Sequence, residues 1–333
     1  MNEMKRSVVL NMLLSSQGGF VSGEDISRSL NISRTAVWKY INELKEMGYV
    51  IESHSRTGYK LIACPDVLWP DEISLGLDTS LIGREIVHFL SIGSTNDKAK
   101  ELANNGCREG LIVVAEEQTG GRGRLGRRWV SPQYRGIWMS VVLRPDIQPI
   151  EAQKLTLLSA LAVSNAIEDC IELKAGIKWP NDLVISGKKI CGILTEMSAE
   201  VDKVNYVIIG IGINANISVE DIPDELKDKA TSLAIELGYN VDRKNLFRHI
   251  SRNIDELYTC FINGNQWHDL MVEYREKCIN MGRRAVISKG DVSWEGMVTD
   301  IDDDGALIVL DGHGEKKRII SGDVSIRGVE GYV

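Results

Sequence analysis

The sequence predicts an α+β chain of several domains: a helical head closed by a hairpin, a central mixed sheet with helices packed on it, and an all-β tail. Three observations predict this. Helical apolar spacing dominates the first 47 residues, and a hairpin pattern follows. Strand-like and helix-like runs then mix as far as about residue 265. After Arg283 only short strand-like runs remain, separated by turn residues.

The 333 residues are 43% apolar and 26% charged, an ordinary globular mix that excludes disorder. At roughly 150 residues per domain, two or three domains are expected. No window approaches the roughly 20 apolar residues needed to span a bilayer. The start, Met1 to Leu10, lacks the apolar core and cleavage site of a signal peptide, so a cytoplasmic protein with no membrane partner is expected. No two of the six cysteines are closer than 18 residues. They read as small buried side chains, with no zinc spacing and no disulfide framework. Net charge is −8, yet residues 1–63 hold eight Lys/Arg against six Asp/Glu. The acidic body argues against broad nucleic-acid binding, while the head, at +2, remains free to bind DNA.

In the head, Val9, Leu10, Leu13 and Leu14 mark one helical face that stops at Gly18-Gly19. Ser22 caps a second helix, Glu24–Leu30, with Asp25 at capping-box spacing. Asn31-Ile32-Ser33 turns into a third helix, Arg34 to about Met47, with Val37, Ile41 and Leu44 on its apolar face. A hairpin follows, Tyr49–Glu52 and Tyr59–Leu61 around Ser55–Gly58. Three helices and a hairpin make a winged helix-turn-helix. Its third helix would enter the major groove with Ser33, Arg34, Thr35, Trp38, Lys39 and Tyr40 outward, while Arg56 and Lys60 meet phosphates from the wing. Trp38 suits the groove or the core equally, and a helical docking module is the plainer alternative. Pro65, Trp69 and Pro70 mark a break, which sets domains at 1–65, 66–279 and 280–333.

In the central part, Ile86–Ser91, Leu111–Glu116, Gly136–Leu143, Leu183–Ile185, Lys189–Glu196 and Asn205–Ile213 read as strands. Asn96–Asn104 and Lys154–Ile171 read as helices. Between two strands lies Gly120-Gly121-Arg122-Gly123-Arg124-Leu125-Gly126-Arg127-Arg128-Trp129, with four glycines and four arginines in its first nine residues. Glycines bare backbone N–H groups, and guanidinium forks match phosphate or carboxylate oxygens. Such a loop should be mobile when empty and order around an anion, with Trp129 as a stacking surface for a base. A flexible solvated loop or an RNA contact is the bland alternative. It is neither a P-loop nor a convincing dinucleotide fingerprint, because arginine fills the x positions and no helix follows. Two more runs are unusual: Lys178-Trp179-Pro180-Asn181-Asp182, and Gly187–Ile193 with its paired lysines. Gly210-x-Gly212-x-Asn214 adds open backbone at a strand end.

In the tail, Ala285–Ile287, Trp294–Val298, Ala306–Leu310, Lys317–Ile320 and Val324–Ile326 are five short strands, which suggests a small SH3-like barrel. The turns between them include Lys289-Gly290-Asp291 and Asp302-Asp303-Asp304-Gly305, the latter a solvated turn rather than a calcium loop.

Together with Ser94-Thr95-Asn96 and Lys189-x-x-Gly192-Ile193-Leu194, these motifs resemble, over nearly the whole chain, the bifunctional biotin–protein ligases that are also biotin-operon repressors. The resemblance implies a class II synthetase-like ligase domain and two steps, biotin plus ATP to biotinyl-5′-AMP, then transfer to a lysine. Acyl adenylation needs no protein nucleophile, only two anions held together with their repulsion cancelled. By matching position, Ser94, Thr95, Asn96 and Gln118 would contact the biotin ring, and Arg122, Gly123 and Arg124 would close over the acyl chain. Lys189 and Arg124 would be the catalytic cations, Lys189 meeting the carboxylate. Gly121, Arg127, Trp129, Asn181 and Asn214 would hold ATP, with Asp182 facing Mg2+. The polar loop 217–228 would fold over the adenylate. Leu125 stands where some repressor-type members carry a basic residue. Implied partners are a biotin carboxyl carrier domain of acetyl-CoA carboxylase or a related carboxylase, operator DNA, and a second copy when biotinyl-AMP is bound. No tightly held prosthetic group is implied. The modest charge of the head leaves open a ligase that does not regulate.

Overall fold

Ten buried side chains, from Val9 to Ile51, close the interior of the first of two units. The computed structural model describes residues 2–264, 266–289, 291–320 and 324–328, and they divide into units Met1–Leu77 and Asp78–Val333. The first unit runs α1 (Asn2–Ser15), α2 (Gly23–Leu30), α3 (Arg34–Glu46), β1 (Val50–His54), β2 (Gly58–Ala63) and α4 (Pro70–Ile73). Each helix starts where its sequence allows. The Ser22 hydroxyl accepts from Glu24 N–H, and that of Ser33 accepts from Ala36 N–H. Asn31, at φ 48°, ends α2 in the left-handed conformation. The wing turns at Gly58, φ +101°, where a Cβ would stand 2.1 Å from the Val21 carbonyl.

The break after the hairpin lies later than the expected residue 65. Residues 66–77 stay with the head because Arg6 Nε and Ser7 Oγ both donate to Asp71, each at 2.6 Å, and Tyr49 Oη donates to Glu72 at 2.7 Å. Burial and the Glu72 carboxylate push the Tyr49 phenol far above its usual range. A lone pattern of prolines could not reveal these long-range ties.

The second unit continues with β3 (Ile86–Phe89), α5 (Thr95–Asn104), β4 (Ile112–Ala115), β5 (Ile137–Leu143), α6 (Ala152–Ile171), β6 (Gly176–Lys178), β7 (Asp182–Ile185), β8 (Lys188–Ala199) and β9 (Val204–Ile213). Then come α7 (Leu233–Leu237), α8 (Arg243–Ile262) and α9 (Trp267–Lys277). The seven strands form one mixed sheet in the order β3-β4-β5-β9-β8-β7-β6, parallel only between β3 and β4. β5 is buried along its whole length, and α6 packs against α8 and β8. Each fully buried Val, Leu or Ile contributes roughly 1.5–3 kcal/mol to that packing. No sequence expectation covered α8 or α9, although Asp242 caps α8 by accepting from the N–H groups of Lys244 and Asn245.

The remaining strands, β10 (Arg284–Lys289), β11 (Val292–Ile301), β12 (Leu307–Asp311), β13 (Lys316–Ile319) and β14 (Val324–Gly328), form an antiparallel sheet ordered β13-β12-β11-β10-β14. Among the described residues its edge strands β13 and β14 do not pair, so the sheet is open. Gly290 of the expected Lys289-Gly290-Asp291 turn lies outside the described residues. The Asp302–Gly305 turn closes on itself, with Asp302 Oδ1 accepting from Asp304 and Ala306 N–H. No helix among the described residues is long and apolar enough to cross a membrane.

Candidate active site

β8 and β9 are paired so that Gly192 faces Gly212 across the strands. Two residues without side chains, side by side, leave a dip in the sheet. The indole of Trp129 fills it: a Cβ on Gly212 would lie 2.6 Å from Trp129 Nε1, and one on Gly192 would lie 3.2 Å from the ring. Trp129 Nε1 is buried and has no hydrogen-bond partner among the described residues. Above this floor opens a cavity of about 650 Å3.

Loop 121–129 forms one wall. It is folded on itself by Gly123 N–H to Arg127 O at 2.7 Å and by Trp129 N–H to Gly121 O at 2.9 Å. Its tip passes through Leu125 at φ 57°, an exposed side chain in the left-handed region. The loop is also pinned from outside, which its composition did not reveal. Arg122 Nη2 meets Asp97 Oδ1 of α5 at 2.5 Å, and Arg124 Nη1 donates to Asn181 Oδ1 at 3.0 Å.

The cationic end is built by Lys189, whose Nζ lies 2.6 Å from Asp182 Oδ1 and 5.1 Å from the Trp129 ring centre. Its backbone is fixed by donating to Lys229 O at 2.8 Å. Behind it, burial pushes the Cys191 thiol well above its usual range, so this cysteine offers no nucleophile. The amides of Asn181 and Asn214 are held by donating to Ile193 O and Thr231 O, at 2.9 and 3.0 Å.

The opposite end is neutral and polar. Ser94 caps α5, and Thr95 N–H and Oγ1 both reach Gln118 Oε1, at 2.9 and 3.0 Å. Asn96 Nδ2 donates to Glu196 Oε2 at 2.7 Å, so its amide is spent inside the protein. The segment after Asn216 supplies a further wall through Ile217, Asp221, Ile222, Pro223 and Leu226. It rests on Trp138 and is approached by Arg135, 3.6 Å from Asp221.

Of the residues singled out for ligands, Ser94, Thr95, Asn96, Gln118, Arg122, Gly123, Arg124, Arg127, Trp129, Asn181, Asp182, Lys189 and Asn214 all line this one cavity. Gly121 does not. It is buried against the loop, where a Cβ would lie 2.5 Å from Trp129 O. Sequence reasoning missed Ser131, Ser140, Glu196 and Asp97. Ser140 did leave a signal, as the one polar residue in the apolar run of β5.

In the head, Arg34, Thr35, Trp38 and Lys39 are exposed on α3, with Trp38 at 59%. Trp38 is therefore surface, not core. Tyr40, expected outward, is buried at 6%, because it shares the inner stripe with Val37, Ile41 and Leu44. Ser33 serves as the helix cap. Arg56 is exposed at the wing tip, whereas Lys60 is half-buried with Nζ 5.8 Å above the Phe20 ring.

Three family models match the chain: an HTH domain over residues 5–60, the biotin/lipoate A/B protein ligase family over 89–214, and a biotin protein ligase C terminal domain over 285–327. Among curated proteins, the bifunctional ligase/repressor BirA of Bacillus subtilis is 45% identical, covering 94% of this chain and 96% of its own. A biotin--[acetyl-CoA-carboxylase] ligase of Mycobacterium tuberculosis is 33% identical over 78% of this chain and 97% of its own. Among solved structures, a biotin protein ligase from Aquifex aeolicus in complex with biotin and ATP is 31% identical. It superposes with a TM-score of 0.64, over 74% of this chain and 99% of that one.

Proposed function

The chain belongs to the family of bifunctional biotin–protein ligases and biotin repressors, and from that premise we propose how its residues carry out both tasks. It is a biotin–protein ligase and a DNA-binding repressor. The observation that carries the ligase reading is the convergence of Lys189, Arg124 and Trp129 on one cavity whose far end is uncharged and polar. That is the layout needed to hold an acid by its neutral head and its carboxylate beside a nucleotide.

In the first step a biotin carboxylate oxygen attacks the α-phosphorus of ATP. The bond from that phosphorus to the bridging oxygen breaks, and pyrophosphate leaves with both electrons. Lys189 and Arg124 offset the repulsion between carboxylate and phosphate and the charge that builds on the phosphoryl oxygens. Trp129 stacks on the adenine, with Asn181, Asn214 and Arg127 around the nucleotide. Gly123 lets the loop close over the acyl chain with Arg122, and Gly121 gives that loop its tight root. In the second step a neutral lysine amine of the carrier domain attacks the acyl carbon. AMP leaves, and the amide nitrogen loses its proton to solvent. Closure of loops 121–129 and 217–228 keeps water from the mixed anhydride.

No three His, Cys, Asp or Glu side chains among the described residues are grouped to hold a metal. Asp182, the carboxylate beside Lys189, would hold an ion brought in with the nucleotide, whose phosphates would supply further oxygens. Mg2+ at that point would neutralise phosphate charge.

For regulation, α3 enters the major groove with Arg34, Thr35, Trp38 and Lys39, while Arg56 and Lys60 meet the backbone from the wing. Bound biotinyl-AMP orders the cavity loops and favours a homodimer whose two heads fit a two-fold operator. The carrier and the operator are both cytoplasmic partners, and we assign the protein there. We assign three functional domains, with the open C-terminal sheet as an SH3-like barrel and the mixed sheet as a class II synthetase-like ligase domain.

The test is incubation with ATP, Mg2+, labelled biotin and a biotin carboxyl carrier domain, followed by gel shift on DNA upstream of biotin genes. Labelled carrier, and a shift strengthened by biotin plus ATP, are expected. An unlabelled carrier overturns the ligase reading, and a shift indifferent to biotin plus ATP overturns the coupling.

A further inference from the structure

We propose that Ser140 is a positioning residue for substrate choice. It fixes the Thr95 hydroxyl as a hydrogen-bond acceptor toward the cavity, so the site selects an acid whose head carries N–H donors, as a cyclic urea does. An acid with a sulfur ring and no donors is disfavoured. The inference rests on the reading that biotin is the acid activated, and because the family model spans biotin and lipoate ligases, lipoate is the acid to compare it with.

The argument is a count of hydrogens. Ser140 sits on β5, fully buried beneath the cavity floor. The Asn96 amide above it can face only one way, because Nδ2 lies 2.7 Å from Glu196 Oε2 and 3.4 Å from Leu194 O, both acceptors. Its Oδ1 therefore faces Ser140, which donates to it at 2.6 Å. A serine hydroxyl holds one hydrogen, and that hydrogen is now spent. The 2.8 Å contact between Ser140 Oγ and Thr95 Oγ1 can then be bridged only by the hydrogen of Thr95.

Among the described residues Thr95 has one other hydrogen-bond partner for that hydroxyl, Gln118 Oε1 at 3.0 Å. That amide is also fixed, since Oε1 accepts from Thr95 N–H at 2.9 Å and Nε2 donates to Ser131 Oγ at 3.1 Å. Whichever of Ser140 and Gln118 takes the Thr95 hydrogen, it points inward. Thr95 lines the cavity, and what it offers there is a lone pair. Packing holds the arrangement: a Cβ on Gly210 would stand 2.1 Å from Asn96 Oδ1. A urea N–H satisfies the lone pair. A dithiolane leaves it desolvated and unmet, the case in which polar sites discriminate most strongly.

The experiment compares wild type, Ser140→Ala and Ser140→Cys by isothermal titration with biotin, with desthiobiotin, which keeps the urea but lacks the sulfur ring, and with lipoate. Lipoate is measured by displacement at high concentration. In Ser140→Ala the shorter of the two inward acceptors is gone and only Gln118 Oε1, at 3.0 Å and already accepting from Thr95 N–H, is left to hold the Thr95 hydrogen, so affinity for both urea ligands should fall about 10-fold. Lipoate affinity should change by less than about threefold, and kcat for pyrophosphate release at saturating biotin should hold within about threefold. Ser140→Cys keeps the shape and a weak donor, so it should fall between. Should the alanine variant fail to fold, the cysteine variant carries the same comparison. Equal losses for all three ligands would mean a merely structural role and overturn the proposal, as would no loss at all. A wild-type chain that releases no pyrophosphate from biotin and ATP would instead sink the underlying reading.

Discussion

Lys189 Nζ lies 2.6 Å from Asp182 Oδ1, so the cation expected to meet the substrate carboxylate is held by a carboxylate of the protein when no ligand is in the way. Each group tempers the other: the lysine is kept over the Trp129 face, and Asp182 is kept from confronting phosphate oxygens as a bare charge. Lys189→Ala removes the cation and exposes incoming phosphates to Asp182. Adenylate formation should fall by about 100-fold or more, the size seen when one transition-state donor is lost. Pyrophosphate release at saturating biotin and ATP measures this. A Lys189→Ala rate near wild type would remove the lysine from the chemistry.

The Arg124–Asn181 bond pins the glycine-arginine loop to the turn between β6 and β7. Arg124→Ala loses this pin together with the phosphate contact, so the loop should open and let the mixed anhydride escape. Free biotinyl-AMP should appear in solution at least about tenfold faster than from wild type, the equivalent of one charge-assisted hydrogen bond. Quenched-flow separation of free from bound adenylate decides it. Equal release from both proteins would show that the arginine does not hold the loop shut.

Much of this site was legible in the sequence because its demands are local. Close backbone approach requires glycine, and Gly210-x-Gly212 reads as open backbone at a strand end, whereas the role of Gly192 depends on its pairing with Gly212. Anion contacts require Arg and Lys, and these clustered in runs. What could not be read was anything set by pairing between distant segments. Gly121 looked like a ligand contact and proved to be a packing position under Trp129 O. Asn96 looked like a ring contact, yet its amide is consumed by Glu196, a hundred residues away. Tyr40 reads as outward from its few neighbours in sequence, while the inner stripe of α3 is set by the whole head core. No sequence expectation covers helix α8, although its Asp242 cap and apolar spacing are legible. The open edge of the C-terminal sheet depends on which strands meet, and alternation alone does not say.

Trp38 is 59% exposed in the middle of α3 and is not one of the ten residues of the head core. Trp38→Ala should leave the thermal midpoint of the head unchanged and still weaken binding to DNA upstream of biotin genes by about 1–3 kcal/mol, with altered base preference. Arg56→Ala, at the wing tip, should weaken all sequences alike and flatten the salt dependence by about one counterion. Gel shifts at several salt concentrations separate the two behaviours. A Trp38→Ala head that binds as well as wild type would turn the groove assignment away from this helix face.

Glu116 and Arg243 form an ion pair at 3.0 Å in which both side chains are fully buried, and His88 Nε2 approaches the other carboxylate oxygen at 3.3 Å. The pair ties the end of β4 to the start of α8, and Arg243 also donates to Gly136 O at 2.8 Å, next to β5. It therefore joins the helical layer to β5, which carries Ser140, and to the segment after β4, which carries Gln118. Taking two charges out of water is costly, so the pair itself need not stabilise the fold greatly. Removing one partner is different, because the desolvated charge stays behind without its counter-ion. Glu116→Ala should cost about 3–5 kcal/mol, read as a lower denaturant midpoint. Glu116→Gln keeps a hydrogen-bond acceptor for the guanidinium and should cost less. The double variant Glu116→Leu/Arg243→Met removes both charges and should recover most of the loss. Denaturation of the four proteins side by side tests this, and a double variant as unstable as Glu116→Ala would show that packing rather than charge governs the position.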